Sequence, residues 1–234
     1  RSASHVPVVF DQPERFMREA FHEERDELDL VHDVGKVTND SREYLLNIAR
    51  SANEASSQVR QAWESYSSPV DYGVNSLDLP KVVSLIDAGM PTKLYYVSYR
   101  NNAFDTHVFQ NNVHRRLLTY TSDAVFAFLQ DLERIGRADD VALMIFSEFG
   151  RRVPENDNLG TDHGAANNMF VVGNQVKGGH YGELPSLTKL NPEDNLAYTT
   201  DFRRVYQTVI EGWLGHRGSG ELLGGNYQPF DMFA

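Results

Sequence analysis

Cysteine does not occur in this chain. That excludes disulfides, thiolate nucleophiles and cysteine-ligated zinc, so any metal must sit on His, Asp, Glu and water. Long apolar runs are missing too. No stretch approaches the roughly 18 residues a membrane span needs, so no membrane span is expected. Positive charge is scarce: 33 acidic residues outweigh 22 basic ones, for a formal net charge of -11. No basic stripe of the kind nucleic-acid binders carry is visible, which argues against nucleic acid as a partner. An acidic surface also opposes adsorption to anionic headgroups. The opening Arg1-Ser-Ala-Ser-His5 lacks the apolar core of a signal peptide. No G-x-S-x-G elbow, H-E-x-x-H helix, Walker A loop or dinucleotide fingerprint occurs, and Ser147 has no histidine placed as its base.

What is there reads as an α/β chain. A first, weakly periodic helix is expected over residues 12–25, with Phe16, Met17, Ala20 and Phe21 on one face. Asn39-Asp-Ser41 offers helix caps, and also fits a glycosylation sequon. Beyond it Leu45, Ile48, Ala52, Ala55, Val59, Ala62 and Tyr66 recur at three- and four-residue spacing, which predicts one long amphipathic helix. A second helix is expected over 76–88, closed by Gly89, and a third runs from Leu117 through Phe128 to Gly136. A last helix, capped by Thr200, carries Phe202, Val205, Tyr206, Val209, Ile210 and Trp213 on one face.

Strands are predicted at Lys93–Tyr99, at Met169–Gly173 and at Val141–Phe146, the last as a strand buried on both faces. This rhythm suggests a layered α/β domain with a helical segment over 1–75 preceding a main body over 76–234.

Ligands of open α/β sheets bind beyond the carboxyl ends of strands. Three polar clusters follow predicted strands. Asp105 and His107 pair a hard oxygen with an imidazole and could share one divalent ion, or form an ordinary loop turn. Asp162-His163 before Gly164 offers the same choice. Glu148 could bind metal, act as a general base, or pair with Arg151 or Arg152. The two arginines could grip phosphate or sulfate oxygens, or lie in a solvated turn. His114 and His180 are weaker ligand candidates, Lys177-Gly-Gly-His180 reads as a turn, and His5, His22, His32 and His216 receive no role.

Read in order, Phe104-Asp-Thr-His107, Phe146-Ser-Glu-Phe-Gly-Arg151 and Gly160-Thr-Asp-His-Gly164 resemble the domain of unknown function 1501 family. So do Phe170-Val-Val-Gly173, Val176-Lys-Gly-Gly179, Tyr181-Gly-Glu183 and Thr199-Thr-Asp-Phe-Arg203. The likeness runs from about residue 76 to residue 230. That family is similar to the alkaline phosphatase and sulfatase superfamily. The resemblance implies a layered alkaline phosphatase-like fold, with a mostly parallel central sheet flanked by helices and incomplete at the N-terminus. It further implies hydrolysis of phosphate or sulfate esters at a one- or two-metal site.

On that reading Asp105, His107 and His163 hold one ion, though the Asp–His spacing is shorter than usual in the superfamily. Asp162 with His163 is the alternative counterpart of the superfamily's Asp-His pair. Glu148 orients the nucleophile or serves a second ion, and Arg151 offsets charge on the transferred group. Phe149 stands where the superfamily has a second histidine ligand. Zinc is the first expectation for the divalent ion, with manganese, iron or calcium as alternatives. The substrate would be a small-molecule or carbohydrate ester.

The superfamily's first strand, with its nucleophile and metal-binding Asp, has no counterpart here. The expectation is a piece of a longer hydrolase, or a non-catalytic binding or scaffolding member. The family's usual twin-arginine-type leader implies a periplasmic or extracytoplasmic location.

Overall fold

The computed structural model describes residues 8–16 and 40–234. The expected helix over 12–25 is seen only as a single 3-10 turn, Pro13–Arg15. Residues 17–25 of it, the cap and sequon residue Asn39, and His5, His22 and His32 lie outside the described residues. The chain divides into two compact units. One holds the residues up to Pro69 together with Asp78–Tyr96; the other holds Val70–Leu77 and Val97–Ala234. The helix expected over 76–88 is found as Leu79–Asp87, in the first unit.

In the first unit the long helix α1 spans Asp40–Ser65 and α2 spans Leu79–Asp87. The three- and four-residue spacing puts Val59 and Ala62 on one stripe of α1, where they meet Leu85 of α2. Phe10, Phe16, Met90 and Tyr95 pack around them. Val59 is 1% exposed, and burying such a side chain contributes about 1.5–3 kcal/mol. Further up the helix Ile48 and Ala52 of the predicted stripe remain exposed. Helix α2 ends as expected at Gly89, in the left-handed region at φ 69°. The N–H of Gly89 bonds Ile86 and that of Met90 bonds Leu85, which closes the helix with the paired bonds of a Schellman turn.

The second unit is built around α3, Gln110–Arg134, whose buried face is Ala124, Ala127, Phe128, Asp131 and Leu132. Asp131 is fully enclosed; the Tyr72 hydroxyl donates to its Oδ2 at 2.8 Å and Arg134 Nε to its Oδ1 at 2.6 Å. Four short strands follow: β1 Leu143–Ile145, β2 Gly150–Arg151, β3 His163–Gly164 and β4 Phe170–Val172. They pair as β1 with β4 and β2 with β3, both antiparallel. Helix α4 runs Phe202–Thr208 and widens into a π-helical stretch, Val209–Trp213; the short α5 spans Ser219–Leu223.

Several expectations change. Lys93–Tyr99 pairs with no strand among the described residues. Tyr95, Val97 and Tyr99 alternate with more exposed neighbours, as a strand would, but propensity makes no ladder without a partner edge. Strand β1 is half-buried rather than enclosed on both faces, because one antiparallel neighbour leaves Phe146 41% and Phe170 57% exposed. The cap of α4 is Asp201, not Thr200: its side chain accepts from the Arg203 N–H. Phe202, placed on the apolar face, is exposed. Among the described residues the sheets are these two antiparallel pairs, so the layered, mostly parallel sheet stays an expectation.

Candidate metal centre

The β2–β3 pairing builds the site. Arg151 stands opposite His163 in the ladder, and the N–H of Arg152 continues it to the carbonyl of Asp162 at 3.0 Å. The 105–107 loop is tied to the same ribbon just before α3. Phe109 and Gln110 donate their N–H groups to the carbonyls of Asn158 and Leu159 at 3.0 and 2.9 Å. Thr161 Oγ1 donates to Gln110 Oε1, and Gln110 Nε2 to the buried Thr106 Oγ1. Gly160 sits against the His107 carbonyl so closely that a Cβ there would lie 2.1 Å from the oxygen.

These ties bring Asp105, His107 and His163 to one point. Asp105 Oδ1 is 2.9 Å from His107 Nε2 and 2.8 Å from His163 Nε2, and the two Nε2 atoms are 3.1 Å apart. Donors around one tetrahedral ion at about 2.0–2.1 Å lie about 3.3 Å from each other. The three side chains are 32–49% exposed, and their separations fall a few tenths of an ångström short of that spacing. Two imidazoles and a carboxylate form a donor set suited to a divalent transition metal. The hydrogen bond from His163, followed by the charge of His107 and the Arg151 bond, holds the Asp105 carboxyl below the usual carboxylate range.

The other predicted site residues are placed as follows. Asp162 reaches the cluster from behind: its Oδ1 is 3.3 Å from His107 Nδ1, the nitrogen facing away from the convergence point. Asn156 donates to the same oxygen at 3.2 Å and, ahead of His107, keeps Asp162 below its ordinary range. Arg151 is inside the site, where it donates to the carbonyls of Thr161 and Phe104 at 2.6 and 2.7 Å and to Asp105 Oδ1 at 3.1 Å. Glu148 is exposed and stands outside the three-donor cluster. His114 meets the ring of Phe104 edge-on and lies 3.5 Å from Thr106 Oγ1. Burial, then the charge of Arg151, pushes its pKa down and favours the neutral ring. His180 is exposed and outside the cluster.

Two contributors escape a sequence reading. Phe149 lies flat on His163, with ring centroids 3.8 Å apart at 13°, and Arg151 sits over its centroid at 4.9 Å. Asn156 is the hub of the 156–160 turn. Its Oδ1 accepts from the N–H groups of Asn158 and Gly160, while its Nδ2 also donates to the His107 carbonyl. The Asn-x-Asn-x-Gly composition signals such a turn, though not its proximity to His107.

A half-exposed carboxylate and two imidazoles converging beside a β-ribbon define the chain as a candidate metal-site protein. It belongs to the family described as "Protein of unknown function (DUF1501)", whose model matches residues 83–209, more than half of the chain. No curated protein matches it, and no solved structure does.

Proposed function

We propose that this chain is a metal-dependent hydrolase of phosphate or sulfate esters, or the C-terminal portion of one. The observation that carries the reading is the convergence of Asp105 Oδ1, His107 Nε2 and His163 Nε2 within 3.1 Å of one another. Those residues would hold the ion, zinc first, with manganese or iron also suited to nitrogen and carboxylate donors; calcium prefers more oxygens. A bound ion would supply Lewis acidity at a non-bridging ester oxygen and a lowered pKa for bound water.

The chain's own residues divide the remaining tasks. Arg151 fixes the Asp105 carboxylate and the two flanking carbonyls, so its effect on a substrate runs through the ligand it holds. Phe149 walls one face of His163. Glu148, on the exposed turn between β1 and β2, is the carboxylate assigned to orient a nucleophile or take a proton. The substrate class is a small-molecule or carbohydrate ester. The alkaline phosphatase-like layered fold and an extracytoplasmic location belong to the same proposal, resting on the resemblance of the motifs.

A second reading, a binding or scaffolding member without turnover, is favoured by one observation. Arg151, the cation nearest the cluster, is already engaged by three acceptors. Elemental analysis after dialysis, beside an Asp105→Ala, His107→Ala double variant, tests the first reading. About one transition metal per chain, absent from the variant, with turnover of phosphate or sulfate esters, is the expected result. Metal retained without turnover of any ester supports the scaffold; no metal after reloading removes the site.

A further inference from the structure

Residues 226–234 follow α5 without helix, and one isolated bridge, Val176 with Phe233, ties them to the 175–181 loop. Otherwise the segment is gripped by its main chain. The Tyr227 N–H donates to Gln207 Oε1 at 2.6 Å and the Phe230 N–H to Thr208 Oγ1 at 2.8 Å. Between them Arg204 Nε donates to the Gln228 carbonyl at 2.7 Å. Further along, the Lys177 N–H donates to the Met232 carbonyl and the Ala234 N–H to the Gln175 carbonyl, at 2.7 and 2.9 Å. Gln207 and Thr208 are buried, so both acceptors lie beneath the segment; Gln207 Nε2 donates to Glu211 Oε1, which holds the amide with Oε1 towards Tyr227.

The side chains add selection. Tyr227, Phe230, Met232 and Phe233 are buried or half-buried, while Gln228, Pro229 and Asp231 stay exposed. Arg203 lies over the Tyr227 ring at 4.3 Å and Arg204 over the Phe230 ring at 4.0 Å. Phe233 rests beside Trp213 and against Gly212 of the π-helical stretch, where a Cβ would lie 2.9 Å from its ring. Main-chain bonds that hold an extended peptide, with pockets that choose some of its side chains, are the physics of a peptide-recognition groove.

Nothing in that grip requires the segment to belong to the same chain. It leaves α5 at Gly224, in the left-handed region at φ 70° and with open space around it. Nine extended residues span about 30 Å, enough to reach beyond the chain's own surface. We propose that α4 and the 175–181 loop form a recognition groove for an extended aromatic peptide, and that a second copy of this chain is its partner, seating its own residues 226–234 there by exchange. Such swapping of an identical element is a low-cost route to a dimer.

Hydrogen exchange of the parent chain is the first test. The Tyr227 and Phe230 amides should exchange at least about a hundredfold faster than those of Phe128 and Leu132 in α3, with little dependence on denaturant, as local opening requires. Exchange of all four only through global unfolding would overturn a releasable segment.

The second test uses full chains and a fluorescent peptide of residues 226–234. In Tyr227→Ala, Phe230→Ala the segment loses both rings that the arginines cover and vacates the groove. That variant should take up one peptide per chain, and the parent, filled by its own segment, should bind at least about tenfold more weakly. Adding Arg204→Ala and Thr208→Val, which removes the bonds to Gln228 and Phe230, should weaken uptake by about tenfold or more. No uptake by the vacated groove, or uptake indifferent to Arg204 and Thr208, would overturn the groove.

Mixing tests the partner. The Tyr227→Ala, Phe230→Ala chain keeps the groove, and an Arg204→Ala, Thr208→Val chain keeps the segment. Sedimentation of the equimolar mixture should show a complex of one chain of each that neither forms alone. Peptide uptake without that complex would confine recognition to a single chain and overturn the second copy as partner. None of these measurements involves metal or ester turnover, so they stand apart from the hydrolase reading.

Discussion

Phe149 lies flat against the imidazole of His163, centroids 3.8 Å apart and planes 13° from parallel. The contact fixes the ring plane of one imidazole of the candidate site. Arg151 also lies over the phenyl ring, 4.9 Å from its centroid. Removing the phenyl ring by Phe149→Ala should lower zinc affinity at unchanged stoichiometry, while Phe149→Tyr should preserve it. Isothermal titration checks both. Equal affinities for all three chains would reduce the stack to a surface contact.

A methyl group at residue 160 has nowhere to go. The Cβ of Gly160→Ala would lie 2.1 and 2.2 Å from the carbonyl oxygen and carbon of His107, so the main chain of the ligand loop must move. We expect a loss of about 1–3 kcal/mol in urea unfolding, together with weakened metal uptake. Gly178→Ala, with nothing within 4 Å, is the matched control and should stay within about 0.5 kcal/mol of the parent. Indistinguishable behaviour of the two variants would contradict the packing described.

Tyr72 carries a buried obligation to Asp131. The carboxylate is fully enclosed, and Tyr72→Phe deletes the 2.8 Å bond to its Oδ2 without changing the ring. A loss of about 1.5–3 kcal/mol is expected, typical of a hydrogen bond to a charged group. Chemical denaturation of the second unit reads it directly; a change below 0.5 kcal/mol, roughly the noise of surface substitutions, would show the bond to be dispensable.

Acid should release the cap of α4. Hydrogen bonds from the Arg203 side chain, and then from its backbone N–H, hold Asp201 below its usual value of 3.8. A carboxylate with a depressed folded pKa contributes stability that is present above the unfolded value and lost as pH falls through the folded one. Asp201→Ala should therefore cost about 1 kcal/mol at neutral pH. The difference from the parent should shrink below about pH 4, followed by amide exchange in α4. A gap that stayed constant down to pH 2 would show that the charge contributes nothing.

Periodicity was enough to locate α1 and α3, since burial of Val59 with Ala62, and of Phe128 with Leu132, repeats every three or four residues. Glycine marked where α2 and α3 stop. The β2–β3 pairing was not legible: two-residue strands such as Gly150–Arg151 and His163–Gly164 carry no alternation to read. At Lys93–Tyr99 the composition pointed to a strand that joins neither sheet among the described residues. Residue types and order singled out Asp105, His107 and His163, because few side chains other than His and Asp can ligate a metal in a chain without cysteine. Which carboxylate faces which nitrogen depends on loop geometry, so Asp162 read like another ligand. Asn156 read like any other turn residue.

The donors of the cluster come from stretches as much as 58 residues apart, Asp105 on one and His163 on the other. Only the folded second unit assembles them, so an unfolded chain offers an ion no comparable site. If the proposed ion binds there, occupancy and folding form a single equilibrium: free ion at a hundred times its dissociation constant would add about 2.7 kcal/mol to the unfolding free energy. A chelator would act on this chain as a mild denaturant, and its melting temperature would report the metal supply of its surroundings.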